Sequence, residues 1–228
     1  MHCLPWARGL AAATLLATVA MPVFSAPVMV DFEASGFTVL ADGESHTVDG
    51  FSFTAVGAGA VIDPSFCDPF TEYCAVGNSS TFLSALNDTQ INLGHSSRVF
   101  TLGSFSAALV PSPLVDLTGM LARLQLNGVD GQGNAVATSV ALAEDGVSGN
   151  FLFGLYDASA LGNLRSLNFS LCFDDGFGNC GAPVFLNDAQ FALDDLSLSV
   201  PEPGAAWLVA LSLAGLALTR RRLTRSSR

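Results

Sequence analysis

Apolar and polar side chains alternate in short runs along most of the chain, and turn-forming pairs separate these runs. The alternation and the short apolar runs predict strands at residues 28–33, 47–56, 98–102, 121–126, 135–142, 151–156, 164–173 and 191–200. Asp-Gly and Asn-Gly pairs, which favour tight turns, occupy 42–43, 49–50, 127–128, 130–131 and 145–146. Within this region only 80–86 and 158–161 are predicted to form short helices. The pattern therefore predicts an all-β domain.

The length and spacing of these strands indicate an antiparallel sandwich. The hairpin at 121–138 and the closing strand at 190–198 resemble those of jelly-roll domains of the carbohydrate-binding type, and Val30-Asp31-Phe32-Glu33 resembles their first strand. The expected fold class is an antiparallel jelly-roll-like sandwich. In the last strand the apolar positions shift by one residue at Asp194-Asp195, which predicts a β-bulge there.

The N-terminus carries the pattern of a secretory signal peptide. Arg8 and the free amine precede an apolar segment at 10–23, and small residues follow it. Cleavage after Ser25 fits the small-residue positions, and cleavage after Ala20 is the alternative. We therefore expect a signal peptide helix at 1–25, a β-sandwich domain at 26–200 and a separate tail at 201–228.

The tail consists of a proline-rich motif, an apolar run and a basic end. The sixteen uncharged residues at 204–219 would rise about 24 Å as a helix, a little under the roughly 30 Å of a bilayer core. Arginines after this run would hold its end on the cytoplasmic side. Prolines keep the motif extended and open to a protease. The motif is Pro201, Glu202 and Pro203, and the basic end begins with Arg220, Arg221 and Arg222.

These three parts, in this order, resemble the PEP-CTERM sorting signal of Gram-negative bacteria. Exosortase, a membrane protease-transferase, reads this signal. The resemblance implies a transient anchor in the inner membrane, cleavage at the motif, and delivery to the cell surface or the extracellular matrix. An ordinary C-terminal transmembrane anchor is the alternative.

The region between the two terminal segments is strongly acidic. Residues 26–203 contain three arginines, no lysine and all twenty acidic residues, for a net charge of −17. A surface of this charge repels nucleic acid and anionic lipid, and it favours divalent cations or simple solvation. Nucleic acid is therefore not an expected partner.

Four cysteines in this region point to an oxidising compartment. Cys67 and Cys74 enclose one loop rich in acidic and turn-forming residues, and Cys172 and Cys180 enclose another. Four cysteines allow three pairings. The loops lack the Cys-x-x-Cys spacing or histidine partners of a zinc site, so two local disulfides are predicted.

The jelly-roll resemblance also implies a candidate structural calcium site. In such domains calcium lies between an acidic residue of the first strand and an aspartate of the last, and six to eight oxygens surround it. The corresponding carboxylates here belong to Asp31, Glu33, Asp194 and Asp195. The alternative is that one aspartate caps the bulge and the other is solvated. The segment 130–134 also resembles the start of a calcium loop, but it lacks the later glutamate and is predicted to be a hairpin turn.

Aromatic residues that could stack on sugars are few. Trp6 and Trp207 lie in the terminal segments, which leaves Tyr73 and Tyr156 in the domain. Tyr73, together with Phe66 and Phe70 in the first cysteine loop, is the predicted sugar contact.

Enzymatic motifs are absent from the sequence. No Gly-x-Ser-x-Gly elbow is present, the lack of lysine removes a P-loop or Schiff-base site, and spacing singles out no pair of carboxylates. The predicted function is a non-catalytic, exported surface or matrix protein with exosortase as its processing partner. The alternatives are a module that binds extracellular polysaccharide and a secreted glycan hydrolase.

Overall fold

The computed structural model describes residues 26–63, 78–96, 99–110, 121–142, 152–174, 180–181 and 189–201, and all structural statements refer to these. The predicted signal peptide and transmembrane helix lie outside the described residues. No helix among the described residues has both the length and the apolar character needed to span a bilayer. The stretch Ala26–Val200 forms one compact unit.

Fourteen antiparallel strands and one 3₁₀ turn, Ser159–Leu161, make up the described part of the chain. The strands are β1 (Val28–Val30), β2 (Thr38–Leu40), β3 (Ser45–Val48), β4 (Phe51–Val56), β5 (Ala60–Ile62), β6 (Leu83–Ala85), β7 (Gln90–His95), β8 (Phe100–Leu109), β9 (Ala122–Asp130), β10 (Ala135–Ala141), β11 (Gly154–Asp157), β12 (Asn163–Asp174), β13 (Cys180–Gly181) and β14 (Phe191–Ser199).

The strands form a two-layer sandwich. The front layer has the order β3-β4-β7-β12-β9-β10, and the back layer has the order β2-β5-β6-β14-β8-β11, with β1 also paired to β14. The layers join where the first residues of β12 pair with β8. Both layers direct alternate side chains into one core, because the apolar side chains on one face of each layer are buried against the other layer.

Phenylalanines hold the two layers together. Phe105 of β8 packs edge-on against Phe169 of β12, with ring centroids 5.6 Å apart, and Phe100 packs in the same way against Phe51 of β4 at 5.8 Å. These four side chains are fully buried. Burying a phenylalanine side chain stabilises a fold by about 1.5–3 kcal/mol. Most of the phenylalanines in the described residues are buried in this way, so core packing explains their presence.

The structure corrects two expectations from the sequence. The segment predicted to be a helix at 80–86 contains β6 instead, because pairing with β5 and β14 buries all three of its residues. The predicted turn at Asn127-Gly128 lies inside β9, and the hairpin turn falls at 131–134. A Cβ at Gly128 would lie 2.9 Å from the carbonyl oxygen of Ser166, so glycine is required here for close packing rather than for a turn.

The last strand contains the predicted bulge. The register of β14 against β8 shifts after Asp194, and Asp195 has a positive φ of 49°. Strand β14 also pairs with β1, with Val28 opposite Leu198. The residues that follow the predicted signal peptide therefore lie beside those that precede the predicted sorting motif.

Candidate functional site

Most of the predicted tail falls outside the described residues. Glu202, Pro203, Arg220, Arg221 and Arg222 are among the residues left undescribed. Pro201 is described, and it is exposed two residues after the end of β14. The sandwich thus ends directly before the motif, with no linker between them.

One of the two predicted disulfides is confirmed. Cys172 and Cys180 are bonded, with Cα atoms 5.4 Å apart. Cys180 lies on β13, which pairs with the end of β12, so the bond closes a hairpin. Cys67 and Cys74 lie outside the described residues.

A buried carboxylate on β14 forms the first candidate site. Asp194 is 0% exposed, and its Oδ2 accepts hydrogen bonds from Asn78 Nδ2 and Ser80 Oγ, each at 2.5 Å. Ser80 also contacts Asn78 Oδ1 through its hydroxyl. The other carboxylate oxygen, Oδ1, is buried and has no hydrogen-bond partner among the described residues. Two oxygen-bearing side chains therefore converge on one oxygen of this carboxylate while the other is left orphaned.

Burial controls the titration of this carboxylate. Desolvation raises the pKa of Asp194 to about 6, and the hydrogen bonds from Ser80 and Asn78 oppose the increase. The neighbouring charge of Asp195 raises the pKa slightly further. Near neutral pH the group is largely ionised, and the two donors stabilise that charge.

The four predicted calcium ligands are not gathered around one point. Glu33 accepts hydrogen bonds from Thr81, from the backbone N–H at 2.8 Å and from the hydroxyl at 3.4 Å. Asp31 accepts the backbone N–H of Glu33 in an exposed turn, and Asp195 accepts a long contact of 3.4 Å from Ser106. The described residues contain no group of three or more His, Cys, Asp or Glu side chains placed to hold a metal.

Asp194 lies beside two side chains that carry oxygen atoms, Asn78 and Ser80. The orphaned Oδ1, Asn78 Oδ1 and Ser80 Oγ are hard oxygen donors of the kind that calcium prefers, but they fall short of the six to eight oxygens it needs. Adjacent residues Ser80 and Thr81 link Asp194 to Glu33, the first-strand carboxylate. The calcium site therefore stays a prediction, with Asn78 and Ser80 as donors that the sequence did not indicate.

The second calcium-like segment is a turn. Asp130 Oδ1 accepts the backbone N–H groups of Gln132 and Asn134 at 2.8 Å, and its Oδ2 accepts Asn134 Nδ2 at 2.9 Å. These bonds lower the pKa of Asp130, with the side chain of Asn134 as the largest cause. The carboxylate caps the β9–β10 hairpin, as the sequence predicts.

A row of uncharged and mostly polar side chains crosses the outer face of the front layer and forms the second candidate site. Strand pairing aligns these residues, one from each of six neighbouring strands. We call this the central row: Ser45, Thr54, Asn92, Asn168, Asn127 and Ala137. A second row runs beside it: Thr47, Ser52, Gly94, Ser166, Val129 and Ala135.

A groove of about 350 Å³ lies between the two rows over β7, β12, β9 and β10. Several of the residues that line the groove have small side chains, among them Ala135, Ala137 and Ser166. The amides of the central row line one side, and the second row forms much of the floor. Its principal lining residues are Asn92, Asn127, Asn168, Ser166, Val129 and Ala135.

Cross-strand hydrogen bonds fix two of the three amides in the row. Asn168 Nδ2 donates to Asn92 Oδ1 at 2.7 Å and to Gln90 Oε1 at 3.0 Å. Among the described residues, this arrangement uses the donors of Asn168 and leaves its carbonyl oxygen and the amide N–H groups of Asn92 for a ligand. The groove thus offers both donors and acceptors in fixed positions.

Sequence reasoning missed this site because no motif marks it. Asn92, Asn127 and Asn168 are distant in sequence and meet only through strand pairing. The one available signal was that each occupies a polar position in an alternating strand.

Of the aromatic residues considered for sugar contact, the described part of the chain includes Tyr156 alone. Tyr156 packs against the core, with its ring centroid 5.6 Å from that of Phe105. Tyr73, Phe66 and Phe70 lie outside the described residues.

No family model and no curated protein matches this chain. Among solved structures, a family 29 carbohydrate-binding module is 10% identical, with a TM-score of 0.35 over 72% of this chain and 88% of that chain. The CBM22-1 xylan-binding domain of Paenibacillus barcinonensis Xyn10C is 12% identical, with a TM-score of 0.33 over 79% and 99%. The TmCBM61 module in complex with β-1,4-galactotriose is 10% identical, with a TM-score of 0.31 over 74% and 92%. Likenesses of this size do not establish a function.

Proposed function

We propose that this chain is an exported, non-catalytic protein of the cell surface or extracellular matrix, whose jelly-roll-like sandwich binds polysaccharide through the groove on its front layer. The observation that carries the proposal is the fixed row of amides beside a floor of small side chains. Binding sites for small polar ligands are concave and contain a few oriented polar groups. Sugar hydroxyls both donate and accept, and the amides offer both roles.

Retention on immobilised polysaccharides tests this binding. The double variant Asn127→Ala with Asn168→Ala removes two amides of the central row, and we expect retention to fall about tenfold, since each lost hydrogen bond costs about 0.5–1.5 kcal/mol. Gln132→Ala, which removes an exposed amide from the hairpin tip, is the matched control and leaves retention unchanged. Equal retention of the double variant and the parent protein would refute binding in the groove.

The proposed export route rests on the two ends of the chain. The tail carries the order of motif, apolar run and arginines that resembles a PEP-CTERM signal. Pro201, the first residue of the motif, is exposed two residues after the end of β14, and this supports cleavage there, because a protease can reach an exposed residue. Exosortase would cut the chain at the motif and release the sandwich from the inner membrane.

Mass spectrometry of the mature C-terminus in the host tests the route. The expected protein ends close to Pro201-Glu202-Pro203, whereas a variant with Pro201→Ala and Pro203→Ala stays uncut and membrane-bound. Recovery of peptides beyond Arg220 from the mature parent protein would show an ordinary membrane anchor instead.

A further inference from the structure

We infer that the groove selects a neutral, extended polysaccharide that crosses the strands of the front layer, and that it rejects polyanionic glycans. The inference rests on the proposed binding function and adds the class of ligand. It follows from the charge of the two rows, the partners of the nearby arginines and the length of the central row.

The two rows carry no charge. Their twelve residues are asparagine, serine, threonine, glycine, alanine and valine, in a region, residues 26–203, that has a net charge of −17. A carboxylate or sulfate group in the groove would lose its water without gaining a counter-charge, which is costly. The desolvation of a sugar hydroxyl group in the groove costs little, because hydrogen bonds to the amides replace its hydrogen bonds to water.

The two described arginines near this face are already engaged. Arg165 precedes Ser166 of the second row, and both its Nε and its Nη2 donate to the carbonyl oxygen of Gly131, at 3.1 and 2.8 Å. Arg123 forms an ion pair with Asp174, with Nε 2.7 Å from Oδ2. Asp174 neutralises Arg123, and the carbonyl oxygen of Gly131 holds Arg165 at the hairpin, while the net negative charge of the domain repels an acidic sugar.

The central row is longer than one sugar ring. Six neighbouring strands at about 4.8 Å spacing give the row a length of about 24 Å. The residues that line the groove come from four of these strands, β7, β12, β9 and β10, which is about 14 Å of the row. A linear chain of a few sugar units fits along these strands, and it meets Asn92, Asn168 and Asn127 on three neighbouring ones.

A matched pair of polymers tests the selection by charge. The full chain, held in a mild non-ionic detergent, is run by affinity electrophoresis through a panel of neutral glycans and through the carboxymethylated derivative of each. We expect retention on at least one neutral polymer. At low salt, retention on the carboxymethylated form of that polymer should be weaker by about tenfold or more. Added salt should narrow the gap by screening.

The outcomes separate the two levels of the proposal. Equal or stronger retention on the carboxymethylated polymer would overturn the inference and leave polysaccharide binding intact. Retention on no glycan in either set would overturn the binding function itself.

Two alanine positions on β10 provide the matched variants. Ala137→Asp places a carboxylate in the central row, and we expect it to weaken binding of the neutral polymer about tenfold. Ala137→Arg should instead improve binding of the carboxymethylated polymer. Ala141→Asp is the control, because it introduces the same carboxylate on the same exposed edge strand but lies outside both rows, opposite Arg123. It should leave binding of the neutral polymer unchanged. Equal losses for Ala137→Asp and Ala141→Asp would place the ligand outside the groove.

Discussion

Replacing Asp194 by asparagine isolates the contribution of the buried charge on β14. Asparagine can keep an oxygen where Oδ2 accepts Asn78 and Ser80, so the two known hydrogen bonds are retained. Its NH₂ group then occupies the position of Oδ1, where the described residues place no hydrogen-bond partner. The substitution therefore removes the charge and introduces an unsatisfied donor.

The structure determines the sign and size of both effects. Burial raises the pKa of Asp194 from 3.8 to about 6, a difference worth about 3 kcal/mol. Because the pKa is raised in the folded protein, ionisation opposes folding. Stability from this group is fully present below about pH 4, falls between pH 4 and 6, and stays low above pH 6. The unsatisfied amide costs about 1–3 kcal/mol at every pH.

We therefore expect Asp194→Asn to be about 1–3 kcal/mol less stable than the parent protein at pH 4 and equal or more stable at pH 7. Urea unfolding followed by circular dichroism, at several pH values and without divalent cations, measures the difference. Asp130→Asn is the control, because the pKa of that exposed carboxyl is lowered. Because the ionised form of Asp130 stabilises the fold, the loss in free energy of unfolding caused by Asp130→Asn should increase as the pH rises, which is opposite to the trend for Asp194→Asn.

A constant difference between Asp194→Asn and the parent from pH 4 to pH 7 would refute the reasoning, since it would mean that the carboxylate is not desolvated. Repeating the series with calcium tests the predicted ion. Calcium bound to ionised Asp194 would restore parent stability above pH 6 and leave the variant unchanged. An identical midpoint in calcium and in chelator would count against a calcium site.

Two further predictions concern the sandwich. Gly128→Ala should destabilise the protein by about 1–3 kcal/mol in the same unfolding assay, because the new Cβ would lie 2.9 Å from Ser166 O. Gly94→Ala is the control and should leave the stability unchanged, because a Cβ there has nothing within 4 Å. Equal effects of the two substitutions would contradict the close packing of β9 on β12. Replacing Cys172 and Cys180 together by serine should cost about 2–3 kcal/mol through the entropy of the freed loop. Adding a reductant should shift the parent midpoint towards that of the variant, and no shift would show that the bond contributes little.

Local patterns in the sequence were sufficient for the all-β class, for most strands and for the bulge at Asp194-Asp195. Alternation with a period of two directly reports which side chains face a core, and the shift in phase after Leu193 can be read without any partner strand. The pairing of Cys172 with Cys180 was also accessible, because the two residues enclose a short loop. The properties of the terminal segments are likewise local, since hydrophobicity and charge along a short segment define them.

Tertiary structure decided what the polar residues do. Leu83–Ala85 became a strand because two neighbouring strands bury it, and Asn127-Gly128 stayed within β9 because β12 packs against it. Asp194 lies against Asn78 and Ser80, more than one hundred residues away, and its burial follows from that contact. The amides of the central row come from separate strands that only the sheet register aligns. Sequence alone thus determined which residues face outwards, and long-range pairing determined which of them form a site.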